Sequence, residues 1–193
     1  TGTGFYNFDV WTACYEKYKD TLQPNLILHG EIVGELPTGA QIQKGYLYNC
    51  EPNNWDFYVF RIVFVSANGK NYEFSWQQVK NYCEKYGLKH VQELFYGKIS
   101  DFMKFADTLS RDVGYVAADD SFEEQFLAKL GNTYLEKVLP EGVPFEGICI
   151  RNESKDFVAN KFKARNFLGY ETMQLDAGET NIDVSQYPNG FYK

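Results

Sequence analysis

The eleven residues WDFYVFRIVFV, Trp55 to Val65, constrain this chain more than any other stretch. Aromatic and β-branched side chains fill it almost without a break, which suits a strand packed on both faces. A second apolar run, NLILHGEIVG, begins at Asn25 and closes on a glycine. Both are far shorter than the roughly 20 residues a membrane span requires, so they must be satisfied by a sheet. Between them lies ELPTGAQIQKGYLYNCEPNN, a polar loop punctuated by Gly and Pro and long enough to imply a functional role. Asn68-Gly69 then reads as a hairpin turn suited to positive φ.

The periodicity next turns helical. Ser75 and Gln78 form a capping-box pattern, Trp76, Val79, Cys83 and Tyr86 share one face, and Gly87 is placed to stop the helix. Ser100 opens another helical pattern with Phe102, Phe105 and Leu109, and Ser121 with Glu124 caps a third with Phe122, Phe126 and Leu130. After LPEGVP the strand pattern returns in FEGICIR and DFVANKFKARNFL. Strands, then helices, then strands predict an α+β fold with antiparallel sheets flanked by helices. At 193 residues a single main domain is expected, 1–170, followed by a C-terminal extension, 171–193.

Composition narrows the function. A formal charge of −7 opposes whole-surface binding of nucleic acid, yet Arg151, Lys155, Lys161, Lys163 and Arg165 gather in one segment and permit a local basic groove. Cys14, Cys50, Cys83 and Cys149 are scattered, without CxxC, and only His29 and His90 accompany them, so reduced and mostly buried thiols are expected rather than zinc ligands. With no apolar run long enough for a membrane and no leader pattern, the expected location is cytoplasmic.

Several charged positions stand out against apolar surroundings. Glu31 follows Gly30 at the end of its strand, and glycine lets a ligand or another backbone approach closely. Glu146 precedes a strand whose Ile148 and Ile150 would share its side of the pleat, so it needs a cation, a donor or a metal ion. A salt bridge to Arg151 or Arg61 is the plainer account. Lys161 and Lys163 are one residue apart and so project from the same face, a repulsion that a shared phosphate would offset, although solvent does the same at a surface. Phe57 and Phe60 fall on opposite faces, so one ring could pack in the core while the other offers a base a stacking surface, although core packing of both is the plainer account.

The order LHGEIVG, DFYVFRI, FEGICIR, NKFKARNFL resembles motifs III, IIIa, IV and V of the covalent nucleotidyltransferases, in particular RNA ligases of the T4 RNA ligase 2 and Deinococcus types. GAQIQKGYLY is similar to the loop that follows their Gly-Glu motif. The resemblance runs from about Leu26 to Leu168 and implies a nucleotidyltransferase, ATP-grasp-like fold and an ATP-dependent ligase that seals 5′-phosphate to 3′-hydroxyl RNA ends through adenylated intermediates. It implies that Glu31 contacts the ribose or supports the metal site, that Phe60 stacks on adenine, and that Glu146 positions Mg²⁺ or Mn²⁺. Lys161 and Lys163 would contact the phosphates, and Gln43, Lys44 and Arg165 the RNA. The nucleophilic lysine of such enzymes stands in a K-x-D-G motif, which does not occur here, and Lys17 and Lys19 read instead as an exposed helix or turn. Self-adenylation by this chain alone is therefore not expected, and a front segment or second polypeptide would supply the lysine. The alternatives are a noncatalytic or split-enzyme module that binds nucleotide or RNA ends, and a DNA ligase-like nucleotidyltransferase.

Overall fold

In the computed structural model, residues 8–98, 100–101, 142–144, 146–154, 158–163 and 167–168 are described. The two apolar runs become β1 (Leu26–Gly34) and β2 (Trp55–Val65), which pair antiparallel along their full length. The register shifts between His29 and Gly30, a bulge that adds one residue to β2 around Phe60. A tight turn at Ser66–Lys70 leads to β3 (Asn71–Glu73), with Ser66 N–H on Lys70 O at 2.9 Å. Only Gly69 of the Asn-Gly pair takes positive φ.

Ser75 caps the helix α2 (Trp76–Tyr86), with both arms of the capping box formed. An earlier helix, α1 (Val10–Tyr18), precedes β1 and is capped by Asp9, whose carboxylate accepts from Thr12 N–H at 3.0 Å. α1 is followed by a 3₁₀ turn, Lys19–Thr21. Gly87 ends α2 in the left-handed region at φ 65, a conformation glycine adopts without a Cβ penalty. The chain then forms β4 (Lys89–His90), which lies parallel to β2, the one departure from the antiparallel expectation among the described strands. Behind the first sheet, Val59, Ile62, Val79, Cys83 and Leu88 make one buried cluster, and Val10, Ile32, Leu36 and Trp55 make another beneath α1.

The second sheet is the hairpin of β5 (Gly147–Asn152) and β6 (Val158–Lys163). Ile148 is buried, but Ile150 is exposed, so the expected apolar side of β5 extends over only part of the strand. The fold is α+β, with helices and two mainly antiparallel sheets. Of the four thiols, all free, Cys83 is buried, Cys14 and Cys50 are half-buried and Cys149 is exposed, which corrects the expectation of mostly buried cysteines. No helix among the described residues is long and apolar enough to cross a membrane. The helical patterns expected after Ser100 and Ser121 lie outside the described residues beyond Asp101, as does the expected extension 171–193.

Candidate active site

Glu31 lies inside β1, three residues before the strand ends, rather than at its tip. Register places Tyr58 of β2 directly across from it, so the two share a face. Gly30 is required by packing: a Cβ there would meet the Phe57 ring and the Tyr58 carbonyl oxygen, the latter at 2.6 Å. The bulge and the close strand approach thus set the position from which Glu31 projects.

The long loop between β1 and β2 is folded by successive turns. Leu36 N–H donates to Ala40 O at 2.8 Å, Tyr46 N–H to Gln43 O at 3.0 Å and Cys50 N–H to Leu47 O at 2.9 Å. Leu36 and Tyr46 are fully buried and anchor it. In the turn Leu47–Cys50 both central residues, Tyr48 and Asn49, are left-handed, with φ of 46 and 60. A tyrosine in that region is strained, and such strain persists only where the surroundings over-determine it.

This loop reaches the second sheet at Glu146. Gln43 Nε2 donates to Glu146 Oε1 at 2.7 Å, and Lys161 Nζ donates to Glu146 Oε2 at 2.9 Å. The Glu146 side chain is only 16% exposed, whereas that of Lys161 is 52% exposed. Burial lowers the lysine pKa, but the hydrogen bond and charge of Glu146, joined by the charge of Glu31, outweigh it and leave the pKa raised. Tyr48 belongs to the same field: burial, then the charges of Glu146 and Glu31, push its phenol well above the ordinary range and keep it a neutral donor. A tilted contact with Tyr46, at 5.9 Å between ring centroids, steadies the Tyr48 ring.

Gln43, Glu146 and Lys161 are therefore joined by hydrogen bonds, and Glu31 belongs to the cluster through its charge, which acts on Lys161 and Tyr48. Glu146 pairs with Lys161 rather than with the arginines expected of it: Arg61 Nε bonds Glu73 Oε1 at 2.7 Å and Arg151 donates to Phe74 O. Lys163 places its ammonium 5.0 Å from the Phe167 ring centroid, and Phe167 packs edge-on against Tyr46, so this lysine borders the same loop. Lys44 is exposed beside Gln43, and Arg165 lies outside the described residues. Phe60 is 43% exposed and lines an apolar groove of about 510 Å³ together with Gly30, Phe57, Tyr18 and Trp11. The described lining of that groove includes none of the four clustered residues, although Gly30 immediately precedes Glu31. Lys17 bonds Trp55 O at 3.3 Å and Lys19 bonds Glu16 at 2.7 Å.

Tyr46 and Tyr48 are the residues that sequence reasoning missed. Two tyrosines in a loop otherwise rich in Gly, Pro and Asn were the available signal. Chemically, the cluster offers two carboxylates, a charged amine and neutral amide and phenol donors. Among the described residues no group of three or more His, Cys, Asp or Glu could hold a metal by itself. Two carboxylates with phosphate oxygens completing the shell suit Mg²⁺, which keeps several waters and few protein ligands.

No curated protein sequence matches the chain. A protein-family model described as RNA ligase does match, over residues 3–166, a span that contains every element above. The chain belongs to the RNA ligase family.

Proposed function

We propose that this chain is the adenylation portion of an ATP-dependent RNA ligase, joining a 5′-phosphate end to a 3′-hydroxyl through adenylated intermediates. The observation that carries the reading is Glu146, held by Gln43 from one side and Lys161 from the other, within the field of Glu31. Phosphoryl transfer is governed by positioning and charge neutralisation around the reacting phosphate. Lys161, kept protonated by its acidic neighbours, provides a cation for the nonbridging phosphate oxygens, and Lys163 a second from the same strand. Glu31 accepts from the ribose or completes the metal site, and Tyr48 remains a donor beside the two carboxylates. Mg²⁺, when bound between Glu146 and the phosphates, would polarise the phosphoryl oxygens. Phe60, exposed on the groove that Gly30 also lines, supplies the stacking surface for adenine.

The last step of such a reaction requires no attacking lysine. The 3′-hydroxyl oxygen bonds to the phosphorus of an adenylated 5′ end, AMP leaves with the electron pair of the broken pyrophosphate bond, and the hydroxyl proton is lost to solvent. A strand adenylated beforehand, annealed across a nick with Mg²⁺, should therefore be sealed by this chain with release of AMP. Calorimetry should also show ATP binding that weakens about tenfold in Phe60→Leu, the loss of one base–aromatic contact. Absence of both binding and sealing would overturn the proposal, and sealing of nicked DNA but not nicked RNA would move it to the DNA ligase-like alternative.

A further inference from the structure

Both oxygens of Glu146 are engaged: Oε1 by the neutral amide of Gln43 at 2.7 Å, Oε2 by the ammonium of Lys161 at 2.9 Å. Resting on the ligase reading above, we propose that Lys161 is the resident counter-ion of Glu146, and that a divalent cation reaches this carboxylate by exchange with it when a nucleotide phosphate draws the ammonium away.

Burial and charge support the exchange. A carboxylate that is 16% exposed is costly to leave unpaired, so the ammonium can depart only as another cation arrives. Lys161 is suited to departing, because its charge sits on a flexible four-carbon stem and its side chain is half-exposed. Gln43 carries no charge and need not move. In the resting cluster the Glu146 carboxylate holds the Lys161 ammonium, and the charge of Glu31 acts on the same ammonium. A divalent cation alone would be driven against that ammonium, and a phosphate alone against the carboxylates. Arriving together, each ligand relieves the repulsion the other meets: the metal takes Glu146, and the phosphate takes Lys161. Metal and nucleotide must then strengthen each other's binding by the same factor, since linkage is reciprocal.

The test is Mn²⁺ binding to the full chain, followed by the spin resonance of the free ion, with and without a nonhydrolysable ATP analogue. The analogue should tighten Mn²⁺ binding about tenfold, within the ordinary range of coupling between sites. Lys161→Met, checked for folding by circular dichroism, should bind Mn²⁺ alone about tenfold more tightly than the parent and gain little from the analogue. Should Lys161→Met not fold, Lys161→Gln, neutral and able to hydrogen-bond Glu146, should show the same gain in smaller measure. A folded, neutral variant at position 161 that binds Mn²⁺ no better than the parent overturns the exchange. An analogue that binds neither protein overturns the ligase reading, while tighter Mn²⁺ binding by Lys161→Met would still uphold the exchange, so the two failures are distinguishable.

Discussion

Gly30 decides more about the site than any charged group, because it sets where the next residue can stand. Its Cα lies against the Phe57 ring and 2.6 Å separates a would-be Cβ from the Tyr58 carbonyl oxygen. Gly30→Ala should cost about 1–3 kcal/mol, the usual range for overpacking, and should show as a lower midpoint in urea unfolding. The sequence marked Gly30-Glu31 as a place of close approach, and that much was legible because glycine in a strand has few other reasons. The partner of Glu146 was not legible. Gln43 lies 103 residues away and is drawn in by the folding of a loop, so no spacing rule connects the two. Phe60 shows the limit differently: strict alternation cannot foresee a bulge, and the register shift leaves Phe60 without a partner on β1 and puts Tyr58 rather than Val59 directly across from Glu31.

Local signals served well for elements whose period and caps agree. Ser75 accepts from Gln78 N–H at 3.2 Å while Gln78 Oε1 accepts from Ser75 N–H at 2.7 Å, and Val79, Tyr82 and Cys83 are buried below. Ser75→Ala should lower stability by about 1 kcal/mol, read from urea denaturation, because the Gln78 N–H in the first turn of α2 loses its acceptor. β1, β2 and α2 were legible for this reason. α1 was less so: Trp11 and Tyr15 are exposed on it, and only Val10 is fully buried, so its apolar face is faint in the sequence. β3 and β4, three and two residues long, are made by pairing with β2 and carry no pattern of their own.

Across the whole molecule, Asp56 joins three elements. Its carboxylate accepts from Tyr18 of α1, pairs with Lys89 of β4 at 2.6 Å and with Lys17 at 3.5 Å. Burial raises its pKa, but the bonds from Lys89, Tyr18 and Phe57 N–H, with the charge of Lys17, outweigh this and hold it below the ordinary carboxylate range. The unfolded chain then binds the proton first as pH falls. The stabilisation is complete above the unfolded carboxylate pKa, about 3.9, and is lost as pH drops towards the lower folded value. The difference in thermal midpoint between the parent and Asp56→Asn should therefore be largest near neutrality and shrink below about pH 4.

The β5–β6 hairpin is tied to the first sheet at named points: Tyr46 OH on Pro144 O, Arg151 on Phe74 O and Glu153 on Trp76 N–H. Glu31 and Gln43 ride on one side of that seam, Glu146 and Lys161 on the other. Parting the seam by the width of one water would sever Gln43 from Glu146 and carry Lys161 away with its acid, dispersing the constellation without any group changing its charge. Assembly and dissolution of the cluster then become one mechanical event, the meeting of two jaws.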